Sequence, residues 1–300
     1  MNRMLVALVM CASGLSAQAS KDGAPGEVAF YLRTAGLYDS NLDHDPVGRA
    51  AYGGVLAAGL TARDRASRPR VEVAYEAAAH RYSAPSRLER VSHHGEITFT
   101  ARPARALAFS TEAEVSLRGS SEDRNVCHEF VGAEQLELRL TRATALRLTG
   151  AYRLRQYPDP QDVGRDARNR YAELELRQRV GSGIRMTMGG RVERHRADLA
   201  RYSYNRTTWA LGLETASARR VQLALELTYR VQRDPDRLVE VGGRDLPRRD
   251  RRFEPEAALT VRPWRSLDVM LGYSLDLRRS NDPDKVYDAH VVSLVLTRWL

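Results

Sequence analysis

Charged side chains alternate with apolar ones along most of this chain. In the segment 144–156, Arg147, Arg153 and Arg155 alternate with an apolar set of leucine and tyrosine residues. Guanidinium groups bind carboxylates and phosphates, and carboxylates attract cations. Rows of both kinds can neutralise each other as ion pairs, or they can act on charged solutes in a wet passage.

A period of two is the period of a β-strand, because successive side chains of a strand leave opposite faces of the sheet. About fourteen such runs follow one another, which predicts an all-β chain. The predicted strands are 28–41, 51–64, 70–82, 90–103, 106–119, 129–142, 144–156, 170–180, 183–195, 204–215, 221–232, 251–262, 266–279 and 288–299.

The charged residues of these runs share one face, which we predict to be the inside of a barrel. As a candidate pore lining they are Arg139, Arg147, Arg153, Arg155, Glu173, Glu175, Arg177, Arg185, Arg191, Glu193, Glu226 and Arg230.

Aromatic residues near one end of the strands share the face of the apolar set. Amphipathic rings collect where hydrocarbon meets lipid headgroups, although aromatic residues also favour strands in general. The candidate membrane-interface aromatics are Tyr38, Tyr52, Phe130, Tyr152, Tyr229, Phe253 and Tyr273, whereas Tyr171 and Tyr287 point to the polar side.

The first residues have the pattern of a secretory signal peptide. Arg3 precedes a short apolar run at 4–12, and Ala17-Gln18-Ala19 matches a cleavage site. We predict a signal peptide at 1–19 and a barrel domain at 20–300. Cleavage removes Cys11 and leaves Cys127 alone, so the mature chain cannot form an internal disulfide.

Composition is compatible with a membrane barrel despite a mean hydropathy of -0.47. Only alternate residues of a barrel strand meet lipid, so the polar inner face dilutes the average. The net charge is +9, but arginine is interleaved with glutamate and forms no concentrated basic patch. We therefore expect no nucleic-acid partner.

The connections alternate between tight turns and long loops. Four Asp-Pro pairs, a combination typical of turns, lie in the predicted long connections. They begin at Asp45, Asp159, Asp234 and Asp282. The segment 233–250 is predicted to be one of the long loops, and short turns inside with long loops outside are typical of bacterial barrels.

Candidate metal and catalytic groups are few. Asp39, Asn41, Asp43 and Asp45 offer oxygen atoms at every second residue, as calcium loops do, but His44 stands where such a loop needs glycine. We favour an acidic turn there. His93 and His94 point to opposite faces of a strand and cannot share a metal. We predict no metal, no cofactor and no catalytic residue.

The chain's end resembles the C-terminal signal by which outer-membrane barrels are recognised for insertion. Val292, Leu294, Leu296 and Leu300 alternate, with Trp299 beside the last of them, although such signals usually end in phenylalanine and Arg298 takes an apolar position. The resemblance implies a Gram-negative outer membrane, contact with its lipid and lipopolysaccharide, and recognition of the last strand by the barrel-assembly machinery.

The segment Tyr38-Asp39-Ser40-Asn41 resembles two kinds of barrel. One is outer-membrane phospholipase A, in which a histidine takes the place of Tyr38 as the base; a tyrosine cannot serve as that base at neutral pH. The other is the barrel of surface-lipoprotein assembly modifiers, which follows a helical repeat domain that this chain lacks.

These patterns predict a single antiparallel transmembrane β-barrel whose oligomeric state is not readable. The leading expectation for function is a narrow, porin-like pore with a charged lumen, which passes small polar or charged solutes. The alternatives are an assembly, secretion or purely structural barrel, an outer-membrane enzyme, and a soluble periplasmic β-protein.

Overall fold

The computed structural model describes residues 26–64, 69–83, 90–120, 126–181, 183–215 and 220–300. The predicted signal peptide at 1–19 and its cleavage site lie outside these residues. Fourteen antiparallel strands follow one another around a closed barrel, in the order of the sequence. The predicted fold class, an all-β antiparallel barrel of fourteen strands, is confirmed. Within the described ranges no helix is long and apolar enough to cross a membrane.

Strand bounds follow the two-residue alternation closely, and four strands match their predicted limits. The strands are β1 Gly26–Asp39, β2 Ala51–Asp64, β3 Arg70–Tyr82, β4 Arg90–Ala104, β5 Leu107–Ser120, β6 Val126–Arg139, β7 Thr144–Gln156, β8 Ala167–Val180, β9 Ile184–Ala197, β10 Tyr204–Thr215, β11 Val221–Val241, β12 Arg244–Trp264, β13 Leu267–Ser280 and β14 Tyr287–Trp299.

The first and last strands close the barrel. β1 pairs with β14 from Tyr31 opposite Trp299 to Asp39 opposite Val291, and the amide of Leu300 donates to the carbonyl of Phe30 at 2.9 Å. Closure satisfies backbone groups that a lipid environment would leave without partners. Both described chain ends lie at the end of the barrel that carries tight turns, which we call the turn end; the opposite end is the loop end.

The prediction of a long loop at 233–250 is wrong. β11 and β12 continue through it as a two-stranded ribbon that ends in a two-residue turn at Gly242 and Gly243. Both glycines have positive φ angles, +59° and +77°, which such a tight turn requires and glycine adopts without strain. Asp234-Pro235 forms no turn but lies at a register shift, where a proline without an N–H group is tolerated.

The other three Asp-Pro pairs do form turns at the loop end. Asp159 and Asp282 each precede a single 3-10 turn, and their carboxylates accept hydrogen bonds from the amides of Gln161 and Asp284. The carboxylate of Asp45 accepts from the amide of Gly48 at 2.8 Å. A third 3-10 turn, at Ala200–Tyr202, follows β9.

The two faces of the wall differ in chemistry, as a membrane barrel requires. Outward side chains such as Leu148, Val192 and Leu294 are 49%, 58% and 49% exposed. Neighbouring inward residues such as Glu193 are buried within the barrel. The apolar half of the alternation therefore forms an uncovered outer belt.

Small residues on β2 allow side chains to cross it inside the barrel. Tyr31 and Arg33 on β1 reach Glu76 on β3, with hydrogen bonds of 3.0 and 2.5 Å. Gly59 lies directly between Tyr31 and Glu76 in the register, and Ala57 lies beside Arg33. The absence of a bulky β2 side chain at this level makes the bridge possible.

We expect Gly59→Ala to destabilise the barrel by about 1–3 kcal/mol, because the added methyl group would overlap the Tyr31 ring and disturb its bond to Glu76. The measurement is the unfolding midpoint of the detergent-solubilised barrel. Gly36→Ala is the matched control, since no atom lies within 4 Å of its added Cβ. Equal losses in both variants would contradict the bridge.

Candidate functional site

Ion pairs connect the inward faces of β6, β7, β8 and β9. Glu129 accepts a hydrogen bond from Arg155 at 2.7 Å and lies 3.5 Å from Arg153. Glu137 lies 3.6 Å from both Arg147 and Arg177. Further pairs join Arg177 to Glu175 and Arg191 to Glu173. These ion pairs link the inward charged residues of adjacent strands into one network, which we call the lattice.

The lattice continues from β9 to β13 near the loop end, where its members are buried. Arg252 donates two hydrogen bonds to Asp276, at 2.7 and 2.5 Å, and lies 3.4 Å from Glu254. Glu254 also pairs with Arg230 at 3.0 Å. Arg206 lies 3.8 Å from Glu193. Paired charges of this kind tolerate removal from water far better than single ones.

All twelve predicted pore-lining residues lie on strands of the barrel, at positions that alternate with the outward apolar set. Their exposure changes along the barrel axis. Arg155, Glu193 and Arg230 near the loop end are buried. The side chains of Arg139 and Arg185 at the turn end are 49% and 48% exposed. Among the twelve residues exposure therefore rises towards the turn end, whereas inward residues of β11, β13 and β14 near that end, Gln222, Asp268 and Thr297, are buried.

Like charges also face each other inside the barrel. Glu96 lies opposite Glu114 between β4 and β5, and Glu226 lies opposite Glu256 between β11 and β12. The arginines of β7 to β9 occupy a different part of the wall. At these two places the register brings carboxylates together without an arginine directly opposite them.

Six of the seven predicted interface aromatics are exposed on the outer face, and Tyr38 is half-buried. Tyr38 and Tyr52 pack with ring centroids 5.3 Å apart. Trp209, which is not among the predicted aromatics, has the same outward parity, and its ring stacks on that of Tyr229 with centroids 5.8 Å apart. Tyr171 points inward between the guanidinium groups of Arg153 and Arg191, as expected. A membrane-interface role for the seven stays a prediction.

A cavity of about 280 Å³ lies at the loop end, and we call it the vestibule. Seven cationic side chains line it, but only two carboxylates, Asp43 and Asp234. Five of the cations come from the loop-end connections and the ribbon: Arg165, Arg201, Arg237, Arg248 and Lys285. Because these residues are far apart in sequence, their clustering is not readable from the chain.

Some vestibule cations are held by carboxylates behind them. Arg237 pairs with Asp282 at 3.0 Å, and Arg248 donates to both oxygens of Asp250, at 3.1 and 2.6 Å. Arg165 lies 3.2 Å from Asp162, and its guanidinium stands 4.9 Å from the centre of the Tyr202 ring. These pairs hold the cavity wall in place.

The first loop folds over the mouth of the barrel. His44 has a positive φ of 54°, and its ring stacks on Tyr287 with centroids 4.7 Å apart. The candidate calcium oxygens bind within the protein: Asp39 accepts from the amide of Asn41 at 2.9 Å, and Asp43 from Arg49 at 2.8 Å. In the described residues no three acidic, histidine or cysteine side chains form a metal-binding group.

Ser40, the serine of the phospholipase-like segment, has a structural role. Its hydroxyl oxygen accepts a hydrogen bond from the amide of His290 at 2.7 Å, and its own amide donates to the His290 carbonyl at 2.9 Å. Both bonds extend the pairing of β1 with β14. The segment therefore helps to close the barrel at the loop end.

Comparison with known proteins identifies the fold. No family model and no curated protein sequence matches the chain. The anion-selective porin from Comamonas acidovorans superimposes with a TM-score of 0.56 and 8% identity, covering 92% of this chain and 100% of that one. OmpT, an outer-membrane protein of Vibrio cholerae, superimposes with a TM-score of 0.55 and 10% identity, covering 93% of this chain and 99% of that one. The chain has the fold of Gram-negative outer-membrane barrels, which confirms the resemblance predicted from sequence at the level of fold.

Proposed function

We propose that this barrel resides in the outer membrane of a Gram-negative bacterium and forms a narrow pore for small polar or charged solutes. The observation that carries the proposal is a closed barrel with an apolar outer belt and a charged inner face. An inner face of this kind favours water and ions, whereas the belt favours lipid. The two similar solved barrels, one of them a porin, support it.

The proposed passage narrows towards the loop end. At the turn end the side chains of Arg139 and Arg185 are 49% and 48% exposed. Towards the loop end, buried ion pairs and the inward-folded His44 reduce the space. In this proposal the twelve charged residues line the passage, which admits small solutes and excludes large ones.

We further propose that the protein is not an enzyme. The group that would serve as nucleophile in the phospholipase-like segment, Ser40, is engaged in barrel closure, and Tyr38 takes the place of the base. The proposed partners are outer-membrane lipid and lipopolysaccharide at the apolar belt. The outward residues Val292, Leu294 and Leu296 of β14 are the surface proposed for recognition by the barrel-assembly machinery.

Purified protein in planar bilayers should conduct, with a mild preference for anions. Replacing Arg147 and Arg177 by glutamine should lower the chloride-to-potassium permeability ratio about twofold, because both cations face the interior and remain partly exposed. The measurement is the reversal potential in a salt gradient. Arg147 and Arg177 suit this test better than Arg155, whose burial beside Glu129 links its charge to folding.

The matched control is Leu148→Ala with Leu174→Ala, since both leucines face outward on the same two strands. This pair should change stability and leave the reversal potential unaltered. Bilayers that stay silent after verified insertion would favour an assembly or structural barrel. Conduction with unaltered selectivity in the arginine variant would show that these residues do not line the passage.

A further inference from the structure

The vestibule carries more positive charge than its own carboxylates neutralise. Five of its seven cations have acidic partners at or behind the wall: Arg155 has Glu129, Arg165 has Asp162, Arg237 has Asp282, and Arg248 and Arg278 share Asp250. The acidic partners reduce the positive charge that these arginines contribute to the cavity. The two remaining lining cations, Arg201 and Lys285, lie in loop-end turns and supply the excess positive charge of the cavity.

Neither Arg201 nor Lys285 forms an ion pair with any residue that the structure describes. Arg201 stands over the Tyr202 ring at 5.0 Å and lies between β9 and β10, whereas Lys285 lies between β13 and β14. Burial and the nearby guanidinium groups of Arg248, Arg237 and Arg278 lower the pKa of the Lys285 ammonium. Of these causes only the guanidinium groups attract an anion, and the carboxylate of Asp282 opposes them.

The size and lining of the vestibule suit an organic anion better than a single halide ion. Its volume of about 280 Å³ is near the lower end of the roughly 300–1,000 Å³ that small-molecule pockets occupy. Tyr202 offers an aromatic face, and Gln232 offers an amide that can donate or accept. Cations on two separate connections can contact two separate acidic groups of one ligand.

We propose that the vestibule is a binding site for a small organic anion that carries two or three carboxylate or phosphate groups, with Arg201 and Lys285 as its principal contacts. One part of this proposal rests on the proposed pore function, namely that the bound anion is a solute that then enters the passage. The site lies at the loop end, above the buried lattice, so binding there precedes the narrowest part of the path.

Isothermal titration calorimetry with citrate, at low ionic strength on the folded, detergent-solubilised full chain, tests the site. We expect saturable binding. Arg201→Gln combined with Lys285→Gln should weaken it at least tenfold, about 1.4 kcal/mol at 25 °C. The matched control is Arg168→Gln with Arg279→Gln, which removes the same charge from two exposed arginines near the loop end that do not line the vestibule. The control should change affinity less than twofold.

Heat modifiability on a gel checks that each variant is folded, and Arg201→Gln alone, at an exposed position, should still weaken binding about threefold. Lack of saturable citrate binding would overturn the proposal. So would equal weakening in the vestibule and control pairs, because it would indicate a general field rather than a site. Calorimetry needs no conduction: a barrel that binds citrate but stays silent in bilayers refutes the pore alone, and one that conducts without binding refutes the site alone.

Discussion

Deletion of residues 291–300 should abolish the closed barrel. Every ladder pair between β1 and β14 uses a residue of this segment, from Val291 to Trp299. Without it, β1 and most of β13 become open edges, and each backbone group left without a partner in hydrocarbon costs several kcal/mol. We expect no heat-modifiable species on a gel and no recovery of protein in the outer-membrane fraction.

A deletion of similar size in the ribbon is the matched control. Removing 238–241 and 244–247 shortens β11 and β12 but keeps Gly242 and Gly243 as the turn. The four ladder pairs that are lost lie beyond the register shift at Asp234, outside the closed wall. This variant should fold and remain heat-modifiable. If it fails as completely as the β14 deletion, the ribbon belongs to the folding unit and closure alone is not the cause.

Asp276→Ala should cost about 3–5 kcal/mol of folding free energy, because it leaves the buried guanidinium of Arg252 without its bidentate partner. The hydroxyl of Tyr287 also loses the acceptor that it contacts at 3.1 Å. The measurement is the unfolding midpoint in denaturant, with reversible refolding into detergent or liposomes. Asp288→Ala is the control: it breaks an ion pair with Arg279 whose side chains are 51% and 56% exposed, so it should cost at most about 1 kcal/mol.

The double variant Arg252→Met with Asp276→Leu distinguishes pairing from general damage. Replacing both members of a buried ion pair by apolar residues is often close to neutral, whereas removing one leaves a charge uncompensated. We expect the double variant to be more stable than Asp276→Ala alone. A double variant as unstable as the sum of its single changes would mean that the two residues act independently.

The wall of this barrel could be predicted from sequence because its pattern is local. Alternation identifies a strand within one segment, so β2, β3, β7 and β10 begin and end where expected. The ribbon could not be predicted in the same way. In its sequence a few apolar residues, Leu238, Val239, Val241 and Leu246, are scattered among charged ones and prolines without a sustained alternation. The Asp234-Pro235 pair also indicates a turn more strongly than a bulge.

Only part of the candidate site could be predicted from the sequence, for a related reason. The inward charged face follows from parity, but the partner of each charge depends on the register between strands, as with Arg252 and Asp276. The vestibule depends on how separate connections fold towards one another. Arg201 and Lys285 have no sequence signal of their own, since a single cation in a polar turn is ordinary.

The buried ion pairs of the interior restrict which amino-acid substitutions this protein can accept during evolution. A single change at Arg252 or Asp276 passes through a costly intermediate, so viable descendants should change both residues together or neither. Outward leucines and valines carry no such constraint and can exchange freely among themselves. Related chains should therefore diverge quickly in overall identity while pairs of inner positions on adjacent strands change in concert, and such correlated changes would record the strand register.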